Sequence, residues 1–136
     1  MPGPDGFAAD APTPKVPPRL RILVVEDDPD TLAVTIELLR ALGHWATGVR
    51  SAELALHRFL EGAFDLLIAD VGLPGLSGRD LAEKLEARCA LPVIFATGQP
   101  APDQMPRHGI WLRKPYSIDQ LQEALARAAQ LGSSPA

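Results

Sequence analysis

Five side chains that can bind a metal ion or a phosphoryl group follow short apolar runs along the chain. They are Glu26 and Asp27 after the first run, Asp70 after the third, Thr97 after the fourth and Lys114 after the fifth. Carboxylates that meet in one small site repel one another unless their pKa values rise or a cation lies among them. The set offers oxygens and no histidine, which favours Mg²⁺. A lysine and a hydroxyl nearby could stabilise a phosphoryl group, so the pattern predicts an aspartate that accepts phosphate.

The apolar runs alternate with amphipathic segments. Strands are predicted at 20–25, 44–49, 64–69, 91–96 and 110–113, and the runs at 20–25 and 64–69 are typical of strands buried on both faces. Helices are predicted at 29–42 after the N-cap Asp28, at 52–61 after Ser51, from Ser77 or Gly78 onward, and from Ser117 onward. The last helix begins with a Ser117/Gln120 capping box and carries Ile118, Leu121 and Leu125.

Strands that alternate with helices at this spacing indicate an α/β fold with a parallel sheet covered on both faces. In such sheets the ligand site lies outside the carboxyl ends of the strands. The five reactive side chains all follow strands, so we expect them to meet at that edge.

Composition excludes several other classes of protein. The chain has 136 residues, 46% of them hydrophobic and 22% charged, which suits one domain. It lacks the roughly 18 to 20 uninterrupted apolar residues of a membrane span and has no signal-peptide pattern, so the expected location is cytoplasmic. With 17 acidic against 13 basic residues and no basic run, it is not expected to bind nucleic acid. The lone Cys89 is predicted to be a buried, inert thiol rather than a redox group.

Proline usage separates a tail from the domain. Six of the 14 prolines lie in the first 18 residues, a segment too poor in apolar side chains to offset the entropy of ordering. We therefore predict a disordered tail at 1–19, an ordered domain at 20–131 and a short C-terminal tail at 132–136.

Four short stretches resemble the receiver domains of two-component response regulators, over about residues 20–131. They are VVEDD, the loop LPGLSG that follows Asp70, FATG around Thr97, and LRKPY around Lys114. The resemblance implies a flavodoxin-like fold with a doubly wound, five-stranded parallel sheet. It also implies a metal site, with Asp27 and Asp70 as direct Mg²⁺ ligands, Glu26 holding a water of the metal, and Gly72 offering its backbone carbonyl.

The same resemblance implies that Asp70 accepts a phosphoryl group from the phosphohistidine of a sensor histidine kinase. Thr97 and Lys114 would bind the phosphoryl oxygens, and the bond from Lys114 to Pro115 would be cis. Such a protein is a phosphoacceptor rather than an enzyme, since it catalyses only its own phosphorylation and dephosphorylation. Its output would be a protein contact or phosphate passed to another protein, from a monomer or a homodimer.

Two features depart from the receiver pattern. Pro100, Pro102 and Pro106 fall where receivers have a fourth helix, which predicts that this helix is shortened or absent. Trp111 stands where receivers commonly have a tyrosine or phenylalanine that moves on phosphorylation, and either a fixed role or a switch fits it. The FATG stretch also resembles a subgroup of single-domain alphaproteobacterial receivers that work with kinases of the HWE or related type.

Two other functions remain open at this stage. One is a binding module that has the fold but signals without phosphorylation, which the intact acidic and basic set disfavours. The other is a Mg²⁺-dependent phosphatase of the haloacid-dehalogenase type, which would usually carry a second aspartate where Gly72 stands. The three histidines lack metal-ligand spacing and are predicted to be structural or exposed: His44, His57 and His108.

Overall fold

The computed structural model describes residues 19–59, 63–88, 90–103 and 109–133. Five strands form one sheet: β1 Arg21–Val25, β2 Trp45–Val49, β3 Leu66–Asp70, β4 Val93–Thr97 and β5 Gly109–Arg113. Every pairing is parallel, and the strand order is β2-β1-β3-β4-β5. The prediction of a doubly wound, five-stranded parallel sheet is confirmed.

Four helices connect or follow these strands: α1 Pro29–Ala41, α2 Ala52–Arg58, α3 Gly78–Glu86 and α4 Ile118–Ser133. Each predicted N-cap side chain accepts a backbone N–H three residues further on, at 2.9–3.1 Å: Asp28, Ser51, Ser77 and Ser117. These bonds satisfy amides that helix formation leaves without a partner. The second helix ends earlier than predicted, because Phe59 already has extended backbone angles.

The sheet separates two apolar layers. On one face, α1 and α4 cover alternate strand residues, which include Ile22, Val24, Ile68 and Ile94. On the other face, α2 and α3 cover Leu23, Val25, Leu67 and Phe95. Leu121 and Leu125 of α4 are fully buried, whereas Ile118, the first residue of the helix, is 40% exposed.

The connection between β4 and β5 contains the unusual prolines. Residues 98–103, which include Pro100 and Pro102, form no helix, since proline removes a helical hydrogen bond and clashes with the preceding turn. The predicted loss or shortening of the fourth receiver helix is confirmed for this described part. Other predictions lie outside the described residues: the tail at 1–18, Cys89, Pro106 and His108.

Polar contacts fix the amino ends of the strands. The Leu20 amide donates to Nδ1 of the buried His44 at 3.0 Å, and burial lowers the pKa of His44 below its ordinary value. Arg21 donates to both carboxylate oxygens of Asp65. His44 is therefore structural, as predicted, while His57 is exposed. These contacts lie at the edge of the sheet opposite to the predicted site.

Candidate functional site

The structure brings the reactive side chains to the carboxyl edge of the sheet. Asp70 and Thr97 are the last residues of β3 and β4, and Glu26 and Lys114 directly follow β1 and β5. The four strands are neighbours in the order β1-β3-β4-β5. A one-residue offset would turn a side chain to the other face of the sheet, so the parallel register determines which side chains meet.

Three carboxylates form the acidic part of the site. Oxygens of Glu26, Asp27 and Asp70 all lie within 4.8 Å of one another. Glu26 is 5% exposed, and its Oε2 accepts the Asp28 amide at 3.2 Å. Burial raises the pKa of Glu26, and the hydrogen bonds from Lys114 and Asp28 only partly oppose this rise. A nearby cation would stabilise the charged form of this buried carboxyl. The set of oxygen donors therefore fits a hard divalent ion such as Mg²⁺.

Lys114 bridges two of these carboxylates. Its Nζ donates to Glu26 Oε1 at 2.7 Å and to Asp70 Oδ2 at 3.3 Å. Burial by itself lowers the pKa of the ammonium, but the Glu26 hydrogen bond and the charges of Asp70 and Glu26 outweigh it, so the pKa of Lys114 is raised. Lys114 is therefore a fixed positive charge beside Asp70. The peptide bond from Lys114 to Pro115 is cis, as the resemblance implied.

The loop of residues 71–77, here called the acceptor loop, follows Asp70 and leads into α3. The Gly72 amide donates to Asp70 Oδ1 at 2.9 Å, which orients the carboxylate. The chain then turns so closely that a Cβ added to Gly78 would lie 2.2 Å from the backbone oxygen of Asp70. Gly78 was predicted only as a possible helix start. Its place directly after a Pro/Gly-rich loop is the signal that could have indicated this close approach.

Thr97 lies beside the lysine. Its backbone oxygen accepts the Lys114 amide at 2.7 Å, and its buried hydroxyl accepts the Gln99 amide at 3.3 Å. The hydroxyl proton is thus available to an acceptor on the carboxyl edge. All the predicted site residues on strand ends lie at this edge, whereas Asp28 bonds Thr31 and serves as a helix cap.

Trp111 lies on β5, next to the connection that lacks a helix. Its ring centroid is 6.0 Å from that of Phe95, and its indole Nε1 donates to the Gln99 carbonyl at 2.8 Å. The indole therefore covers part of the apolar layer and holds the segment that follows Thr97. The contact with Phe95 follows from the pairing of these two residues across β4 and β5, whereas the bond to Gln99 depends on the folded path of residues 98–103 and could not be found from sequence spacing.

Sequence reasoning also missed a polar contact beside the site. The hydroxyls of Thr35 and Tyr116 lie 3.0 Å apart and join α1 to the segment after Pro115. Thr35 is 4% exposed and lies on the apolar face of α1. A threonine among the apolar positions of a helix, together with a tyrosine after the KP pair, was the available signal.

The family model for the response regulator receiver domain matches residues 22–126. The chain belongs to this family. Receiver domains are phosphoacceptor signalling domains of two-component systems, and they accept phosphate from sensor histidine kinases and bind Mg²⁺ at an acidic pocket. No helix among the described residues is both long and apolar enough to cross a membrane.

Individual relatives agree with this assignment. The virulence sensor protein BvgS of Bordetella pertussis is 36% identical over 140 residues, which cover 90% of this receiver and 11% of BvgS. A receiver domain protein of Clostridium thermocellum is similar at a TM-score of 0.74 and 28% identity, over 81% of this chain and 94% of that one. TrrA of Thermotoga maritima, solved in complex with Mg²⁺-BeF, has a TM-score of 0.68 and 27% identity. The match covers 79% of this chain and 97% of the TrrA chain.

Proposed function

We propose that this receiver accepts a phosphoryl group on Asp70 from a sensor histidine kinase in a Mg²⁺-dependent reaction, and signals or relays phosphate through protein contacts in the cytoplasm. The observation that carries the proposal is the position of Lys114, whose ammonium contacts both the buried Glu26 and Asp70. A lysine that only neutralised the buried Glu26 would not have to contact the partly exposed Asp70 as well.

The chain's own groups supply what phosphoryl transfer needs, which is mainly positioning and charge stabilisation. A carboxylate oxygen of Asp70 forms a bond to phosphorus as the bond from phosphorus to the donor's imidazole nitrogen breaks. The electron pair of the broken bond stays on the imidazole, and the product is an acyl phosphate. The Lys114 ammonium and the Thr97 hydroxyl then donate to phosphoryl oxygens, while the Gly72 amide holds Asp70 Oδ1. Water later hydrolyses the acyl phosphate.

The donor set for Mg²⁺ comprises the carboxylates of Asp27 and Asp70 and the backbone carbonyl of Gly72, with Glu26 holding a water. The bound ion supplies positive charge that offsets the repulsion between these carboxylates and the incoming phosphoryl oxygens. TrrA, a similar receiver, was solved in complex with Mg²⁺-BeF, which supports a role for Mg²⁺ here.

A groove beside the site fits the phosphodonor. It encloses about 500 Å³ and is lined by Asp30, Thr31, Val34, Thr35, Leu38, Lys114, Pro115 and Tyr116. Val34, which lines the groove, is 55% exposed, and Lys114 lines the groove as well as the reactive site. A helix that carries the phosphohistidine could bury Val34 while it presents phosphorus to Asp70. The HWE or related kinase type stays a prediction from the FATG stretch.

Thr97 and Trp111 form the proposed switch. When Thr97 turns to donate its free proton to a phosphoryl oxygen, the hydroxyl oxygen that accepts the Gln99 amide moves with it. The Gln99 amide bonds Thr97, and the Gln99 carbonyl accepts the Trp111 indole N–H. A displacement of Gln99 therefore changes the surface around β5. Signalling through this surface suits a receiver whose residues 98–103 form no helix.

The experiment that tests the phosphoacceptor is incubation with acetyl phosphate and Mg²⁺, followed by intact mass and peptide mapping of the acyl phosphate. The native chain should gain one phosphoryl group on Asp70, whereas Asp70→Asn should gain none. Asp119→Asn, which alters an exposed aspartate of α4, is the matched control and should react as the native chain does. An unmodified native chain would sink the proposal and favour a binding module that works without phosphate.

Docking of the donor needs a second experiment. Val34→Glu should slow transfer from purified, autophosphorylated sensor histidine kinases, because it places a charge in the apolar groove, while the reaction with acetyl phosphate stays unchanged. Val34→Ala retains the apolar character and should have a smaller effect. Equal kinase rates for Val34→Glu and the native chain would overturn the assignment of the groove.

A further inference from the structure

Glu53, in the first turn of α2, contacts the acceptor loop from outside it. Its Oε2 accepts the Leu76 amide at 3.1 Å, across 23 positions of sequence. Leu76 is partly buried against the apolar layer on the α2 and α3 side. The bond therefore ties a helix that contributes no reactive group to the loop that follows Asp70.

The loop is shaped to admit this carboxylate. Gly75 has φ of +73°, a conformation that side-chain-bearing residues rarely adopt. A Cβ at Gly75 would also lie 2.9 Å from Glu53 Oε2. Because Gly75 has no side chain, it can adopt the positive φ of this turn and also leave room for the Glu53 carboxylate.

A side chain from outside the loop adds to its local hydrogen bonds. Two of its hydrogen bonds are local: the Gly72 amide donates to Asp70 Oδ1, and the Gly78 amide donates to the Val71 carbonyl at 3.3 Å. These bonds fix the beginning and the end of the loop. Glu53 holds Leu76, one residue before the end of the loop, so the path of the chain between Gly72 and α3 also depends on a side chain of another element.

We infer that Glu53 is a positioning residue for the Mg²⁺ site, acting through the acceptor loop on the carbonyl of Gly72. The inference deepens the proposed function and rests on it for the role of Gly72 as a ligand. Partners that orient ligating groups commonly change metal affinity by an order of magnitude or more. Glu53 is exposed, so a smaller effect is expected here than for a buried partner.

The test is a Mg²⁺ titration of the full chain, followed through the backbone amide signals of Gly72 and Leu76 by NMR. Glu53→Ala should weaken Mg²⁺ binding by about fivefold, below the range for buried orienting partners. Glu53→Asp, which retains the charge but is one methylene shorter, should also weaken it. Glu53→Gln retains an acceptor oxygen at the same reach and should restore the native affinity. Glu37→Ala, on the exposed side of α1, is the matched control.

A metal-free measurement separates this inference from the phosphoacceptor proposal. Without Mg²⁺, the Leu76 amide should exchange with solvent faster in Glu53→Ala than in the native chain or in Glu37→Ala. Native exchange and native Mg²⁺ affinity in both Glu53→Ala and Glu53→Asp would overturn the inference. If Asp70 takes up no phosphate in any variant, the phosphoacceptor proposal fails, but the exchange rates still decide whether Glu53 holds the loop.

Discussion

Lys114 lies closer to Glu26 than to Asp70, with Nζ at 2.7 Å from Glu26 Oε1 and 3.3 Å from Asp70 Oδ2. Glu26 is the more buried of the two acids, with side-chain exposure of 7% against 16%. A charge pair is stronger where water is excluded. The ammonium is therefore anchored by Glu26, and it can turn toward a phosphoryl group on Asp70 without losing that anchor.

Replacement of Lys114 should abolish most of the phosphorylation. Lys114→Ala removes the charge that would bind the phosphoryl oxygens, and the rate with acetyl phosphate should fall by at least about tenfold. Lys114→Arg should not rescue it, because a planar guanidinium cannot occupy the compact position between two carboxylates. Lys84→Ala, on the exposed surface of α3, should react normally. Native rates for Lys114→Ala would contradict this role of the lysine.

Gly78→Ala should destabilise the fold even though alanine favours helices. The added Cβ would lie 2.2 Å from the Asp70 backbone oxygen and 3.2 Å from Val71 Cα, and overpacking of this kind costs roughly 1–3 kcal/mol. Urea unfolding measures the loss. Gly98→Ala is the matched control, because a Cβ there meets nothing within 4 Å. The prediction fails if both variants unfold at the same urea concentration.

The indole of Trp111 should report occupation of Asp70. When beryllofluoride and Mg²⁺ are added, the Nε1–H signal of Trp111 should shift in ¹⁵N-resolved NMR, since its acceptor Gln99 is linked to the Thr97 hydroxyl. Trp45 begins β2 at the opposite edge of the sheet and is the internal reference. If the Trp111 signal is unchanged while backbone amides near Asp70 shift, Trp111 is a fixed cover over Phe95 and the switch assignment is wrong.

His44 should make stability depend on pH between neutrality and mild acid. Burial lowers its pKa in the folded state below the ordinary 6.5, so the unfolded chain takes up the proton first as pH falls. Stability is therefore lost from near pH 6.5 downward, until the folded-state pKa is reached, at no more than about 1.4 kcal/mol per pH unit. Urea unfolding of native chain and His44→Asn should show this loss only in the native chain. His57→Asn, which changes an exposed histidine, should retain the native pH dependence.

The strand ends were predictable because the sequence signals there are local. Apolar runs of strand length, each followed by Asp70, Thr97 or Lys114, place the reactive groups once a parallel sheet is inferred. The helix caps were likewise predictable, since each acts over three residues.

Contacts between distant segments were not predictable. The bond from Lys114 to Glu26 joins residues 88 positions apart, and the bond from Leu76 to Glu53 joins residues 23 positions apart, next to the positive φ of Gly75. The Trp111 bond to Gln99 similarly requires the non-helical path after Thr97. Contacts of this kind depend on the conformation of loops. The positions of proline and glycine predict that a loop is irregular, but they do not predict the path that its backbone takes.

Both oxygens of the Asp70 carboxylate already have a donor, Gly72 on one side and Lys114 on the other. The torsional freedom of the nucleophile is thus given up during folding rather than at the moment of reaction. Held geometry of this kind lowers the entropic part of a barrier. A donor as small as acetyl phosphate has no surface with which to align Asp70, so its reaction rate reflects the alignment that folding has already provided. The difference between this rate and the rate with a kinase measures what the kinase adds.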